Sequence, residues 1–203
     1  MSLRPVLCAG LLCGWLAPNQ ALADWTTYLN GNDRAGFTTE RLDPSLRPAW
    51  ILRAPAKPEK AWSGPRSTPI EGHEMRHRVD FDDAMQVAIS GGRVFYGSSV
   101  DHHLYCVDAN TGESIWSYYT EGPIRLAPTL AHGNVYFGSD DGFVYCLNQN
   151  DGQLVWKMRV GSRDDLLLAR GEMISRWPVR TGVLIDGEIA YFGAGVFPHE
   201  NIY

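Results

Sequence analysis

Long apolar runs are missing from this chain of 203 residues. The most extended one, Pro5–Ala17, falls short of the roughly 20 residues that a helix needs to cross a bilayer. Cysteine is scarce, with four residues and neither a Cys-Cys pair nor a CxxCH run, so no c-type haem attachment is encoded. An excess of positive charge is also missing. Lys and Arg number 18 against 23 Asp and Glu, for a net charge of −5, and such a surface repels phosphate backbones. With no basic run or RNA-binding motif to offset it, nucleic acid is excluded as a partner. Neither a GxSxG elbow nor a phosphate-binding P-loop occurs, which removes two common catalytic classes. Beyond the first few dozen residues no long amphipathic helical pattern appears either.

What the chain does have is punctuation. It holds 21 Gly and 12 Pro among Tyr, Trp, Val and Ile, at an ordinary 44% hydrophobic and 20% charged content. That mixture predicts an all-β domain of short strands joined by tight turns.

Residues 1–23 read as a secretory signal peptide. Arg4 supplies the positive start, Pro5–Ala17 the apolar stretch, and Ala21-Leu22-Ala23 the small-x-small cleavage pattern ahead of Asp24. Leu7 and Leu12 precede Cys8 and Cys13 where a lipoprotein box needs a small residue, so no lipid anchor is expected. The expected location is periplasmic or secreted, with no membrane span after cleavage. Only Cys106 and Cys146 then remain. They hold equivalent places in consecutive repeats, too far apart for the Cα window of about 4.4–6.8 Å, and are expected to be two small buried apolar side chains.

The repeats carry most of the information. Residues 94–116 read VFYGSSVDHHLYCVDANTGESIW and residues 135–156 read VYFGSDDGFVYCLNQNDGQLVW. Tyr105/Tyr145, Cys106/Cys146, Gly112/Gly152 and Trp116/Trp156 are all 40 apart, whereas Val94/Val135, Gly97/Gly138 and Ser98/Ser139 are 41 apart. The one-residue difference falls in the polar turn, where a change of length costs little. In the second unit the turn glycines Gly133, Gly142 and Gly152 divide the chain into four strands, at Leu126–Leu130, Asn134–Ser139, Phe143–Leu147 and Gln153–Arg159. The middle strands are apolar on both alternations, so both faces must be covered. A four-stranded antiparallel sheet of this kind is a propeller blade.

The endings VDANTGESIW (107–116) and LNQNDGQLVW (147–156) resemble the PQQ-type repeat, with its Asp, its Thr-Gly turn and its closing Trp. The fold implied is a partial β-propeller of about two and a half four-stranded antiparallel blades. The resemblance makes Trp116 and Trp156 blade-docking residues, each seated against a neighbouring blade near its turn glycine, with Gly112 and Gly152 as those glycines. Asn148 and Asp151 replace the Asp and Thr of the pattern in the second unit. The organisation expected is an entry segment and covering loop over 24–83, blade 1 over 84–122 and blade 2 over 123–160. An inter-blade insertion over 161–178 and an incomplete third blade over 179–203 follow. Tyr191-Phe192-Gly193 matches Tyr136-Phe137-Gly138, and Ile202-Tyr203 is set against Val144-Tyr145. A ring closes with at least about four blades, so a fragment of a longer protein is expected.

The entry segment DWTTYLNGNDRAGFTTERLDPSLRPAW (24–50) resembles that of secreted PQQ-like proteins, and Leu46–Leu52 reads as a ring-closing strand. Residues 54–78 read as a covering loop. There His73 and His77 lack a third ligand and follow Gly72, so no metal site is expected. His102 and His103, adjacent at a strand end, point to opposite faces and make no metal pair. The insertion carries Arg163, Arg170 and Arg176, with Arg180 just beyond. Arginine suits bidentate recognition of carboxylates, which makes these four the candidate rim ligands for a protein or small molecule. Asp164, Asp165 and Glu172 are their alternative, internal partners.

Two functions follow from the resemblance. One is a non-catalytic binding or scaffold propeller of the BamB type, with no cofactor. The other is the N-terminal part of a quinoprotein dehydrogenase using PQQ and calcium. That class holds its quinone between a Trp floor and a ring of adjacent cysteines, and its Ca²⁺ through carboxylate and amide oxygens. The absent Cys-Cys pair favours binding over catalysis.

Overall fold

The computed structural model describes residues 24–41, 44–54, 56–61, 82–169, 171–196 and 201–203. Its first four strands are β1 (Val87–Ser90), β2 (Arg93–Gly97), β3 (His103–Asp108) and β4 (Ser114–Tyr119). They form one antiparallel sheet in chain order, blade 1. Blade 2 repeats that order with β5 (Thr129–Ala131), β6 (Asn134–Gly138), β7 (Phe143–Asn148) and β8 (Leu154–Arg159). Each blade bulges at its cysteine, between Cys106 and Val107 and between Cys146 and Leu147. Next come a hairpin of β9 (Leu166–Ala169) and β10 (Glu172–Ser175), then the pair β11 (Leu184–Asp186) and β12 (Ile189–Tyr191). Among the described residues there is no helix, and so none long and apolar enough to cross a membrane.

The core lies between the blades. Phe95, Leu104 and Cys106 of blade 1 pack with Ile124, Val135, Phe137, Tyr145 and Leu147 of blade 2. A second cluster joins Val144 to Trp177, Val179, Val183 and Ile185 of the third unit. Val144 and Tyr145 are consecutive and face opposite neighbours, which is why the middle strands show no polar alternation. Each such side chain contributes about 1.5–3 kcal/mol on burial, and all of it depends on the adjoining blade.

The first strands of the three units adjoin, β1 beside β5 and β5 beside β11, so they are the innermost. A strap from the entry segment crosses all three. Trp25 and Ile89 exchange two backbone hydrogen bonds of 2.8 Å, and Leu130 donates its N–H to the Thr26 carbonyl at 2.8 Å. The Thr27 and Thr129 hydroxyls lie 2.8 Å apart, and Asn32 Nδ2 donates to the Ile185 carbonyl at 2.7 Å.

Leu46–Leu52 pairs with no strand among the described residues, although Trp50 within it docks as described below. Two expectations are corrected. The first strand of blade 2 begins at Thr129 and not at Leu126, because Pro128 lacks an N–H for the ladder and Ile124 spends its own on the Ser98 carbonyl of blade 1. Tyr203 does not stand where Tyr145 does. It exchanges backbone hydrogen bonds with Ala194 at 2.8 and 3.0 Å, the place that Phe143 takes opposite Ser139 in blade 2. The connection from Ala194 to Tyr203 is longer than the one from Ser139 to Phe143, and the register moves accordingly.

Candidate functional site

Four buried charges meet on the side of the molecule that carries the inter-blade connections. Ile124 and Val179 hold equivalent positions, since each donates its N–H to a serine carbonyl of the preceding blade, Ser98 at 3.1 Å and Ser139 at 3.0 Å. The next residue in each case is an arginine aimed at Asp140 in the β6–β7 turn. Arg125 Nε reaches Asp140 Oδ2 at 2.7 Å, while Arg180 donates Nε to Oδ1 and Nη2 to Oδ2, both at 2.7 Å. Arg125 Nη1 also contacts Asp82 Oδ2 at 3.2 Å and donates to the Glu59 carbonyl. Side-chain exposure is 1% for Asp140, 6% for Arg125 and 8% for Arg180. Each of these buried charges has an opposite charge within contact distance, which is the arrangement in which buried charge is tolerated. Arg180, singled out from the sequence as a rim ligand, is therefore part of a clamp between blades.

The other candidate arginines lie elsewhere. Arg163 Nη2 is 2.9 Å from Asp165 Oδ2, and Arg176 Nη1 is 3.9 Å from the same oxygen. Arg170 lies outside the described residues; of the other three, Arg163 and Arg176 share Asp165 whereas Arg180 is on Asp140. The insertion instead forms the β9–β10 hairpin, in which Leu168 stands opposite Met173 and Leu167 opposite Ile174. One face is seated, with Ile174 buried and Glu172 Oε1 3.2 Å from His102 Nε2 of blade 1. The opposite face leaves Leu168 71%, Leu166 54% and Met173 54% exposed. This apolar face is invisible to a search for charged ligands; the signal is the LLLA and EMIS alternation across Gly171.

The tryptophans dock by one geometry. Gly152 has φ +69°, and a Cβ there would stand 2.6 Å from Trp116 Cε3, while Trp116 Nε1 donates to the Gln149 carbonyl at 3.2 Å. Gly112, at φ +73°, meets Trp50 in the same way: a Cβ would lie 2.7 Å from its ring, and Trp50 Nε1 donates to the Ala109 carbonyl at 2.9 Å. Only glycine combines that left-handed backbone with an indole on its α-carbon. Trp156 packs on the second core cluster, 6.1 Å from the Tyr136 ring. Trp50 was missed as a docking residue because no repeat surrounds it.

Each blade also buries a tyrosine hydroxyl on an aspartate four residues earlier. Tyr105 donates to Asp101 and Tyr145 to Asp141, both at 2.6 Å. Burial raises both phenols, and the adjacent carboxylates raise them further. Cys106 and Cys146 are free and buried, and burial pushes the Cys106 thiol up to about 11. Neither is a nucleophile or a thiolate ligand at neutral pH. Among the described residues no three His, Cys, Asp or Glu side chains form a metal-binding group. His73 and His77 flank Glu74 in the order His-Glu-x-x-His and, like residues 1–23, lie outside the described residues.

Stacked four-stranded antiparallel sheets with cores between them, locked by tryptophan on turn glycine, define a β-propeller of repeated blades. The chain belongs to the PQQ-like repeat family: residues 50–192 match the family model described as outer membrane protein assembly factor BamB. Among solved structures it is similar to the quinohemoprotein alcohol dehydrogenase from Comamonas testosteroni, at 17% identity and a TM-score of 0.55, over 85% of this chain and 23% of that one. A BamB from Moraxella catarrhalis aligns at 23% identity and a TM-score of 0.42, over 53% of this chain and 29% of that one. Of the curated proteins, lupanine 17-hydroxylase [cytochrome c] of a Pseudomonas species is 36% identical over 75 residues, 37% of this chain and 9% of that protein. The chain thus spans under a third of the length of each of these relatives.

Proposed function

We propose that the protein is an exported PQQ-like propeller that binds rather than transforms, serving as a scaffold for a partner seated on its rim. The observation that carries this reading is the exposed face of the inserted hairpin, where Leu166, Leu168 and Met173 lie together on one side of a two-stranded sheet. Contiguous exposed apolar side chains on a rigid element mark interaction surfaces. Export is supported by Arg4, the Pro5–Ala17 run and Ala21-Leu22-Ala23, and by a family model described as an outer membrane protein assembly factor.

The second reading, the N-terminal part of a quinoprotein dehydrogenase using PQQ and calcium, is favoured by the 36% match to lupanine 17-hydroxylase [cytochrome c]. The described residues fit that cofactor set poorly. The buried carboxylates Asp82 and Asp140 have oxygens engaged by guanidiniums, and Cys106 and Cys146 are buried in consecutive blades rather than paired.

A photo-crosslinking residue at Leu168, in the protein produced in its own cell, tests the first reading. One discrete protein adduct at Leu168, with none from the same group at Asp151, is the expected result. No adduct at Leu168, together with stoichiometric uptake of PQQ in an absorbance titration, would replace it with the second.

A further inference from the structure

A cavity of about 260 Å³ opens where the strap crosses the innermost strands. Its walls come from four places: Tyr28 and Arg34 of the strap, Gln86 ahead of β1, Leu126 and Ala127 leading into β5, and Val183 leading into β11. The position is therefore axial, distinct from the rim hairpin on which the proposed scaffold role rests.

The cavity has two cationic wall residues, Arg180 and, on the strap, Arg34. Arg34 Nη1 donates to the Thr27 hydroxyl at 2.5 Å and to the Tyr28 carbonyl at 2.7 Å, both neutral acceptors. No carboxylate among the described residues forms an ion pair with it. A guanidinium has five N–H donors in a fixed fork, and Nη1 accounts for two of them. Arg180 has its Nε and Nη2 committed to the Asp140 carboxylate. The half-buried Arg34 is thus a fixed cation held in position through one nitrogen, at the edge of a cavity whose other walls include Leu126, Ala127 and Val183. Each arginine elsewhere on the connecting face that has a defined contact is matched to an aspartate, as Arg125, Arg163 and Arg180 are.

We infer that this axial cavity is a binding site for a small organic acid, with Arg34 as counter-ion to the carboxylate and the aliphatic wall covering its apolar body. Bidentate pairing explains why the cation is arginine, and the small volume restricts the ligand to a compact one.

Benzoate is the probe, and benzamide its neutral counterpart of the same shape. With the full-length protein, benzoate titrated by calorimetry and by NMR shifts is expected to bind one-to-one at an affinity of about millimolar, the level so few atoms reach. Benzamide should bind at least about tenfold more weakly, the effect of losing one charge-assisted pair. Arg34→Gln should lose the same factor for benzoate and change nothing for benzamide. Arg34→Lys removes the fork but keeps the charge, and should retain part of the discrimination that Arg34→Gln loses. Equal binding of benzoate and benzamide would overturn the inference. So would equal losses in the Gln and Lys variants, since Arg34 would then only hold the strap in place.

Discussion

Blades 1 and 2 share a strand order, a bulge at the cysteine and an aspartate–tyrosine pair, yet the two aspartates shift in opposite directions. Burial is the largest influence on both. For Asp141 it prevails, and the carboxyl is raised despite hydrogen bonds from Tyr145, Phe143, Ser139 and Glu121. For Asp101 the hydrogen bonds from Ser98 and Tyr105 and the charge of His103 outweigh burial, and the carboxyl is lowered. The difference comes from the neighbour. Blade 1 lies on Asp141, placing the Glu121 nitrogen 3.2 Å from its Oδ2 and the Tyr118 ring edge-on to Tyr145 with centroids 5.9 Å apart. Asp101 instead borders a cavity of about 210 Å³ beside Leu52, Arg53, Ala54 and Ala56, and its buried Oδ1 has no hydrogen-bond partner among the described residues. In a repeat fold the same local sequence acquires its chemistry from whatever packs on it.

The largest effect that separates the blades is expected from Arg125→Ala. Blade 1 has Ala84 at the corresponding place, 41 residues earlier, so the junctions leading into blade 2 and the third unit carry this cation, as Arg125 and Arg180, and the start of blade 1 does not. Among the described residues, loss of Arg125 leaves Asp82 without a guanidinium and Asp140 with Arg180 alone. Destabilisation of about 3 kcal/mol is expected, at the low end for breaking a buried pair because Asp140 keeps one partner. Urea unfolding measures it, and a change below about 0.5 kcal/mol, as at an unremarkable surface site, would show that packing alone joins the blades.

Gly112→Ala and Gly152→Ala come next. Both positions are left-handed and both place the new methyl inside an indole, Trp50 in one and Trp116 in the other. Each should cost about 2 kcal/mol from backbone strain and displacement of the ring. Thermal unfolding and tryptophan fluorescence report it. Equal losses would make Trp50 a docking residue of the same standing as Trp116. A silent Gly112→Ala would make its contact incidental.

The smallest effect is the pH dependence of the aspartates. Asp101 has a folded pKa below the unfolded value of about 3.9, so its contribution is present above that pH and is lost as pH falls through the lower value. Asp141 has a raised folded pKa, so stability is greatest where it is protonated and declines as pH rises from about 3.9 through the raised value. Asp101→Asn should flatten the acid limb of unfolding free energy against pH, and Asp141→Asn the limb above it. Slopes of the same sign in the two variants would remove the contrast between the blades.

Much of the blade architecture was legible in the chain because turn chemistry is local. Gly133, Gly142 and Gly152 mark the hairpins that the structure shows, and Asp108 and Asn148 each accept the N–H two residues on at 2.8 Å, so the asparagine serves where the pattern has aspartate. The strap, the arginine clamp and the hairpin face were not legible. Thr26 meets Leu130, Asn32 meets Ile185 and Arg125 meets Asp140 across separations that no local pattern encodes. Trp50 could have been found from the one regularity it shares with Trp116, an indole that needs a turn glycine to rest on.

Sequence alone determined the repeat, the strand order within each blade and the residues that must be glycine, because those follow from backbone sterics over a few consecutive residues. Tertiary structure alone decided which charges are buried and matched, which aspartate is raised and which lowered, and which apolar faces stay in water. Arg163 and Arg180 look alike in the chain. One sits on Asp165 beside the exposed hairpin and the other on Asp140 at 1% exposure, because solvation and pairing depend on what the fold brings within a few ångströms.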